Sequence, residues 1–496
     1  MTIKICDRKA PDALILPLVQ DDLLPGRLAE IAVGAGVDTT NLQNDFKAEQ
    51  GEVFVLYSGT APARRLYLVG MGKKAGFTNV LLTARTFVHK FKSRLPAQTG
   101  IDLRHFPADA VLRLTDAAVT GVLLGLYSPG RYQTEGNNTK PAPVFGQDDS
   151  ELQVLVPDAV CDDAGTAAGR GQVFAGVTRE IMDLMNAPGN KKTPQVLCDW
   201  AKHAGEKAGF SVRILEKEDL IEQGLDALYA VGKGSPHAPA LILLEYGDQT
   251  SAGPFVGLVG KGVTFDTGGV SLKPSANMHL MKSDMGGAAA VLGAFVAAAG
   301  LKIQAHLIGA IPVAENMIDG HAIKPGDVIN SFSGKTIEVT DTDAEGRLIL
   351  ADALAYLLDR QKPDIVIDVA TLTGSIIRAI GNHAGGLFTS NDRLADTLSK
   401  AGEYCGERLW RMPMWEEYGA DLKSDVADLR NFTGKPMAEC ITAAKFIEHF
   451  TAGHPAWAHL DIAGMAYADT EFAKGKIATG YGIRLLTEFV EGFAAP

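Results

Sequence analysis

Cysteine is scarce. There are five in 496 residues, at positions 6, 161, 198, 405 and 440, and no two are spaced C-x-x-C. That excludes a zinc knuckle and a disulfide-stapled scaffold, and it predicts buried free thiols in a reducing cytosol. Paired histidines are missing too. None of the eleven forms H-E-x-x-H or another i, i+4 pair, and His449, His454 and His459 lie five apart, off any one helical face. A histidine-based zinc site is therefore not expected. No G-x-S-x-G elbow is present for a serine nucleophile. Positive charge is not in excess. Lys and Arg number 47 against 59 Asp and Glu, a net charge of −12, so neither nucleic acid nor an anionic membrane is the expected partner. Apolar runs are short: AAAVLGAFVAAAG, residues 288–300, is too short for a bilayer and suits a buried helix. The opening MTIKICDRKA has no apolar core of a signal peptide. A cytoplasmic globular protein is expected.

Glycine is plentiful, yet the glycine loops do not read as nucleotide sites. GMGKKA (70–75) imitates G-x-G-x-x-A, but the region that should hold a ribose-binding acid is the basic KFKSRLP. VGKGS (231–235) and VGKGV (259–263) lack the upstream glycine of a P-loop.

Residues 1–160 alternate strand-like runs (DALILPLV, EVFVLYS, RRLYLVGMG, ELQVLVP) with helix-like ones, which predicts an N-terminal α/β domain. The polar stretch 131–150 reads as an exposed loop. A long helix through AAGRGQVFAGVTREIMDLMN marks a junction at 161–190. Residues 191–496 then repeat the strand–helix alternation. This predicts a second α/β domain, a mixed sheet covered by helices on both faces.

The acids of TDAEGRL raise a sharper question. Asp341, Asp343 and Glu345 fall within five residues where a predicted strand, TIEVTD, meets a predicted helix, with Arg347 just behind. Helix capping by Asp343, with Glu345 as a first-turn acid, accounts for one or two of them. Three crowded carboxylates resist joint ionisation unless a cation lies between them. Upstream, LVGKGVTFDTGGVSLKPSANMHLMKSDMGGAAAV (258–291) adds Lys261, Asp266, Lys273 and Asp284 between core-like flanks. In open α/β sheets ligands sit at strand carboxyl ends, where both segments are placed. An oxygen-rich set without histidine suits Mg²⁺, Mn²⁺ or Zn²⁺. Four carboxylates exceed the needs of one ion and suit a two-metal hydrolytic cluster.

These segments resemble the leucyl aminopeptidase (cytosol aminopeptidase) family. DTDAEGRL stands for that family's signature NTDAEGRL, and the 258–291 segment matches its other metal-binding stretch. VATLTG (369–374), RMPMWEEYGADLKSDVADLRN (411–431) and AHLDIAG (458–464) fit as well, so the resemblance covers about 180–490. It implies that Lys261, Asp266, Asp284, Asp343 and Glu345 ligate two divalent ions per subunit, Mn²⁺ or Zn²⁺ with Mg²⁺ as a further candidate. Asp266 and Glu345 would bridge them, and Lys261 would ligate as a neutral amine. Lys273 would act on the scissile carbonyl, and Arg347 would hold a bicarbonate acting as base. Thr371, Leu372 and Gly374 would offer backbone groups to the peptide, and Met281 would line the side-chain pocket. The implied activity is release of N-terminal, leucine-like residues from short peptides with a free N-terminus, by a homo-hexamer built as a dimer of trimers.

Two departures stand out. Asp341 replaces the usual Asn, and MAECITAA (437–444) stands where the family has Gly-Gly before ITAA. Two other readings are weaker. A non-catalytic DNA-binding or assembly role sits poorly with a charge of −12, and a phosphatase sits poorly with the lack of histidines and the presence of Lys273. The apolar segment SIIRAIGNHAGGLF (375–388) reads either as subunit interface or as core.

Overall fold

Apolar residues at alternate positions of one strand can serve two opposed cores, and the N-terminal strands do so. The computed structural model describes residues 1–493 apart from 8, 24–25, 60–62, 135–143, 249 and 252. The chain divides into two compact units, Met1–Arg179 and Glu180–Pro496. In the first, β1 (Thr2–Ile5), β2 (Ala13–Leu18), α1 (Arg27–Ala35), α2 (Thr39–Asp45), β3 (Val53–Tyr57) and β4 (Arg65–Gly70) are followed by α3 (Phe77–Phe91), β5 (Gln98–Asp102), α4 (Ala108–Gly125), β6 (Glu151–Leu155) and the start of α5 (Cys161–Asn186). The strands form one sheet in the order β1-β6-β5-β2-β4-β3. All pairs are parallel except β3 with β4. On β2, Ala13 and Ile15 join the core cluster that includes Phe77, Phe87 and Leu114, whereas Leu14, Leu16 and Leu18 join the one that includes Leu28 and Leu42. Burial on both faces is what a parallel sheet requires. Of the polar stretch 131–150, residues 135–143 lie outside the described residues.

One expectation about this unit is overturned. Cys6 and Cys161 form a disulfide across a sequence separation of 155. They flank β1 and α5, and no spacing rule links positions so far apart. Cys198, Cys405 and Cys440 are buried free thiols.

The second unit begins within α5. It continues through α6 (Pro194–Ala208), β7 (Ser211–Leu215), α7 (Lys217–Glu222), α8 (Asp226–Gly232), β8 (Ala240–Tyr246), β9 (Phe255–Gly260), β10 (Gly262–Asp266), α9 (Gly286–Leu301) and β11 (His306–Asn316). Then come β12 (Val328–Asn330), β13 (Thr336–Glu338), α10 (Glu345–Gln361), β14 (Ile365–Ala370), α11 (Gly374–Ile380) and β15 (Gly385–Phe388). Further along are α12 (Asp392–Cys405), β16 (Leu409–Arg411), β17 (Leu429–Arg430), α13 (Glu439–Glu448), β18 (Trp457–Asp461) and α14 (Ile483–Glu488). The main sheet runs β16-β15-β18-β14-β9-β11-β8-β7, with β10 paired to β11. It is mixed: β9, β14 and β18 run parallel, while β8 is antiparallel to β11 and β15 to β18. Helices cover both faces. On β11, Ile308 and Ala310 belong to the core that contains Leu348 and Leu354 of α10, while a methyl group on Gly309 between them would meet Phe295 of α9 at 3.0 Å.

Several local expectations shift. FVGLVGKGVTF makes two strands, with Lys261 at the break between β9 and β10. Only Thr336–Glu338 of TIEVTD is strand, and it belongs to a separate three-stranded sheet with β12 and β17. The segment Met278–Leu301 is 24 residues long and apolar enough to cross a membrane, longer than the 288–300 run suggested, and 78% of its most apolar window is buried inside the unit. In 375–388, Ile376 and Phe388 are buried and Gly385–Phe388 is a strand of the main sheet, so these residues belong to the core of the unit, while Arg378, Ala379, Asn382 and His383 are exposed in the single chain.

Candidate metal centre

Two loops and a short turn meet at the carboxyl end of the parallel strands. Lys261 follows β9, Asp266 closes β10, and Lys273 lies in the glycine loop beyond it. Met281 and Asp284 sit on and just after the 3-10 turn Met278–Ser283 that leads to α9. Asp343 lies in the loop between β13 and α10, and Glu345 and Arg347 are in the first turn of α10. Thr371 and Leu372 follow β14, and Gly374 opens α11.

One carboxylate oxygen each from Asp266, Asp343 and Glu345 lies within 4.8 Å of the other two. Lysines thread between the acids. Lys261 Nζ is 2.8 Å from Asp284 Oδ2 and 2.8 Å from Glu345 Oε1, and it donates to Thr371 O at 3.2 Å. Lys273 Nζ is 2.8 Å from Asp266 Oδ2 and also contacts Asp343 Oδ1. Although Asp284 Oδ2 and Glu345 Oε1 are this close to Lys261, neither has a partner in hydrogen-bonding geometry. Charge, not a directed bond, holds them, and both oxygens retain lone pairs for another cation.

The titration behaviour reflects this crowding. Burial raises the Asp284 pKa well above the usual carboxylate range; Lys261 opposes the rise, and Glu345 and Asp266 add to it. Asp343 is pushed up to about 7 by burial and by the Asp266 and Glu345 charges, against Lys273. Burial alone would lower the lysines. The surrounding carboxylates win and hold Lys261 and Lys273 above the ordinary lysine value. For Lys261 to ligate as a free amine, a metal must therefore displace its proton against Asp284, Glu345 and Asp266. Four carboxylates and an amine, with unpaired buried oxygens among them, are a donor set that fits hard or borderline divalent ions.

The loops are laced to each other by residues that motif reading did not single out. Asn316, opposite Asp266 in the β10–β11 register, donates to Asp266 Oδ1 at 2.8 Å and to Thr342 O at 3.0 Å. Thr342 Oγ1 donates to Gly268 O at 2.6 Å and accepts from Ser271 N at 2.8 Å. Asp341 is not one of the trio Asp266, Asp343 and Glu345, and its Oδ1 accepts the Asp343 N–H at 2.9 Å. An Asn side chain has the same acceptor, so this departure keeps the local turn. The cap of α10 is Ala344, with no side-chain bond, so helix capping does not account for Asp343.

The peptide-binding candidates divide. Thr371 Oγ1 donates to Asp284 Oδ1 at 2.8 Å and so belongs to the cluster. The Leu372 N–H is taken by Asp461 Oδ1 at 3.2 Å, which leaves the Leu372 carbonyl as the group it can offer. Asp461 Oδ2 also accepts from Thr373 Oγ1 at 2.7 Å, so a residue at the carboxyl end of β18 pins this loop. That position in AHLDIAG could have been flagged by the strand-end rule. Gly374 is exposed and Met281 half-buried. Arg347 is buried, donates through one terminal nitrogen to Asn431 O at 2.7 Å, and its Nε has no hydrogen-bond partner among the described residues. Burial lowers its pKa below the usual value, against Glu439, Glu345 and Asp341.

Comparison with known proteins bears on the whole chain. Residues 179–487 match the model of the cytosol aminopeptidase family, catalytic domain, and residues 23–136 match that family's N-terminal domain. The second match reaches beyond the 180–490 over which motifs were legible. A "Probable cytosol aminopeptidase" of Chloroherpeton thalassium is 40% identical over 497 residues, covering 97% of each chain. Another, of Geobacter sp. strain M21, is 40% identical over 487 residues, again covering 97% of each. Among solved structures, "Bottromycin maturation enzyme BotP in complex with Mn" superposes with a TM-score of 0.84 at 33% identity, covering 98% of this chain and 100% of that one.

Proposed function

The chain belongs to the cytosol aminopeptidase family and is a metal-dependent aminopeptidase, and from that premise we propose that it releases leucine-like residues from the free N-termini of short peptides. Two divalent ions would be held by Lys261, Asp266, Asp284, Asp343 and Glu345, with Asp266 and Glu345 shared between them. Mn²⁺ is favoured by the Mn complex of the BotP relative, with Zn²⁺ and Mg²⁺ as the other candidates. Such ions supply a water acidic enough to attack near neutral pH and polarise the scissile carbonyl.

The chain's own groups do the rest. The ammonium of Lys273, kept charged by Asp266 and its neighbours, donates to the carbonyl oxygen as negative charge builds there. Arg347, buried and with Nε lacking a hydrogen-bond partner among the described residues, would hold a small anion such as bicarbonate, which would supply a general base beside the cluster. The loop of Thr371, Leu372 and Gly374 receives the peptide backbone, and Met281 flanks the N-terminal side chain. The observation that carries this reading is the trio Asp266, Asp343 and Glu345 within 4.8 Å, interleaved with two lysines. The test is hydrolysis of a leucine anilide before and after chelation and after return of Mn²⁺ or Zn²⁺, run against a panel of N-terminal residues. Activity that survives removal of all bound metal sinks the mechanism, and a flat side-chain profile sinks the leucine preference.

Hexamer assembly is part of the same proposal. Val270 and Leu272 on the metal loop and Trp415, Val426 and Met437 are large apolar side chains left 43–67% exposed in the single chain, a surface suited to burial between copies. Light scattering decides: a 52.6 kDa species with full activity removes the hexamer. A cytosolic location is proposed on the relatives' names. The Cys6–Cys161 bridge pulls against it, because disulfides are rare in that compartment. Counting thiols in protein alkylated at the moment of cell lysis separates the two.

A further inference from the structure

The loop that carries Asp343 and Glu345 has a support problem. Residues 339–344 lie between the end of β13 and the start of α10 and belong to neither. Val339 still pairs with the backbone of Asp327 and Gly326, but from Thr340 on the chain has left the ladder and its buried N–H and C=O groups need other partners. Asn431 answers this from 84 or more residues away. It comes directly after β17, which pairs in parallel with β13 through Ile337↔Leu429 and Glu338↔Arg430. Where that two-residue ladder stops, the Asn431 N–H donates to Glu338 O at 3.0 Å and its side chain takes over.

The side chain of Asn431 is fully buried. Its Oδ1 accepts from Thr340 N at 2.8 Å, Asp341 N at 3.3 Å and Thr340 Oγ1 at 3.3 Å. Its Nδ2 donates to Asp341 O at 2.6 Å and Ala344 O at 3.3 Å. Only one orientation of the amide serves, with oxygen toward the N–H groups and nitrogen toward the carbonyls. The backbone carbonyl of the same residue accepts from Arg347. One residue thus touches Thr340, Asp341, Ala344 and Arg347, flanking Asp343 and adjoining Glu345 without touching either.

We infer that Asn431 is a positioning residue that sets the metal-binding loop and the Arg347 guanidinium in register with each other. The inference rests on the proposed metal site and deepens it. The side-chain amide acts as a stand-in peptide unit that fixes the loop on both sides of Asp343, and the main-chain carbonyl ties Arg347 to the same point. Asp at this position keeps the shape and the acceptor but turns an oxygen toward the Asp341 and Ala344 carbonyls, so the loop must move.

The test is Mn²⁺ affinity of chelator-stripped protein, read by electron paramagnetic resonance of free Mn²⁺. Asn431→Asp should weaken binding about 10–100-fold, the usual scale for partners that orient metal ligands, with unchanged circular dichroism. Thr340→Val, which removes only the hydroxyl bonds to Asn431 Oδ1 and Phe432 O, should move affinity in the same direction by less. It serves if Asn431→Asp fails to accumulate as folded protein. Parent-like Mn²⁺ affinity in folded Asn431→Asp, or failing that in Thr340→Val, overturns the inference. Asp343→Ala is measured in parallel. If it too binds Mn²⁺ like the parent, the metal site itself is misassigned; if it loses Mn²⁺ while the Asn431 variant does not, only the role of Asn431 falls.

Discussion

A methyl group on Gly346 would lie 2.5 Å from Cε and 2.6 Å from Nζ of Lys261. The amine of Lys261 reaches Asp284 and Glu345 only because the first turn of α10 carries no side chain there. Gly346→Ala should therefore displace the far end of Lys261, which is flexible, without disturbing the backbone. Alanine favours a helix over glycine by about 1 kcal/mol, so folding stability should hold or rise. Activity should drop, and a displacement near 1 Å at a reacting centre can cost about 100-fold. The two effects have opposite signs, and thermal unfolding beside anilide hydrolysis reads both. A variant with parental activity would show that Lys261 tolerates the shift and is not a ligand.

Lys273 bridges Asp266 and Asp343, so it could serve the transition state or merely neutralise the acids. Lys273→Ala separates these. If the ammonium meets developing charge on the carbonyl oxygen, kcat should fall about 10²–10³-fold with KM little changed. Metal content, measured by inductively coupled plasma emission, should stay at the parental value. Loss of metal with the loss of rate would make Lys273 a structural counter-ion.

Lys192 is fully buried, and its ammonium donates to Met185 O at 3.0 Å and also to Lys282 O, in the turn before Asp284. Burial and the neighbouring Lys282 charge push its pKa down to about 7, with Asp284 opposing, from 10.5 in the unfolded chain. Between those values the folded state binds fewer protons than the unfolded one. Stability contributed by this group therefore rises with pH across that window, and below about pH 7 the full penalty applies. Denaturant titrations of the parent and Lys192→Met, both stripped of metal, should show the parent gaining on the variant from pH 7 to pH 10. The gain should be on the order of a few kcal/mol. A pH-independent difference would mean that the amine keeps its charge throughout.

How much of the fold and the site was legible in the sequence depended on whether a signal was local. The acids of 341–345 and the lysines and aspartates of 258–291 could be found because metal ligands crowd within short spans between apolar elements. The alternation of strand-like and helix-like runs over 191–496 announced a sheet covered on both faces, and β11 is buried along its whole length as such a sheet requires. Asn431 and Asn316 gave no such sign, since a single Asn in a loop or at a strand end has no period, and the partners of their side chains lie 26 to 91 residues away. The Cys6–Cys161 pair, 155 residues apart, was hidden for the same reason. TIEVTD misled in another way. Its β-prone residues suggested a strand through to Asp341, but strand pairing ends at Glu338, and Asn431 holds Thr340 and Asp341 beyond it.

The replacement in MAECITAA has a visible consequence. Ala438, the N-cap of α13, takes φ 53° and ψ 25°, the left-handed region. An L-residue there costs about 1–2 kcal/mol from contact of Cβ with the following carbonyl, and glycine at this point would be free of it. Glycine also loosens the unfolded chain, which opposes the gain by about 0.4–1 kcal/mol. Ala438→Gly should thus stabilise by roughly 0.5–1 kcal/mol, a rise in Tm of about 1–3 °C in a unit of this size. The backbone of the loop is already in the conformation glycine prefers, so anilide hydrolysis should be unaffected. Differential scanning calorimetry on metal-loaded protein measures the shift. A lower Tm would mean that packing of the Ala438 methyl near Ile441 and Ile377 outweighs the backbone strain, and that the chain has adapted this loop to alanine.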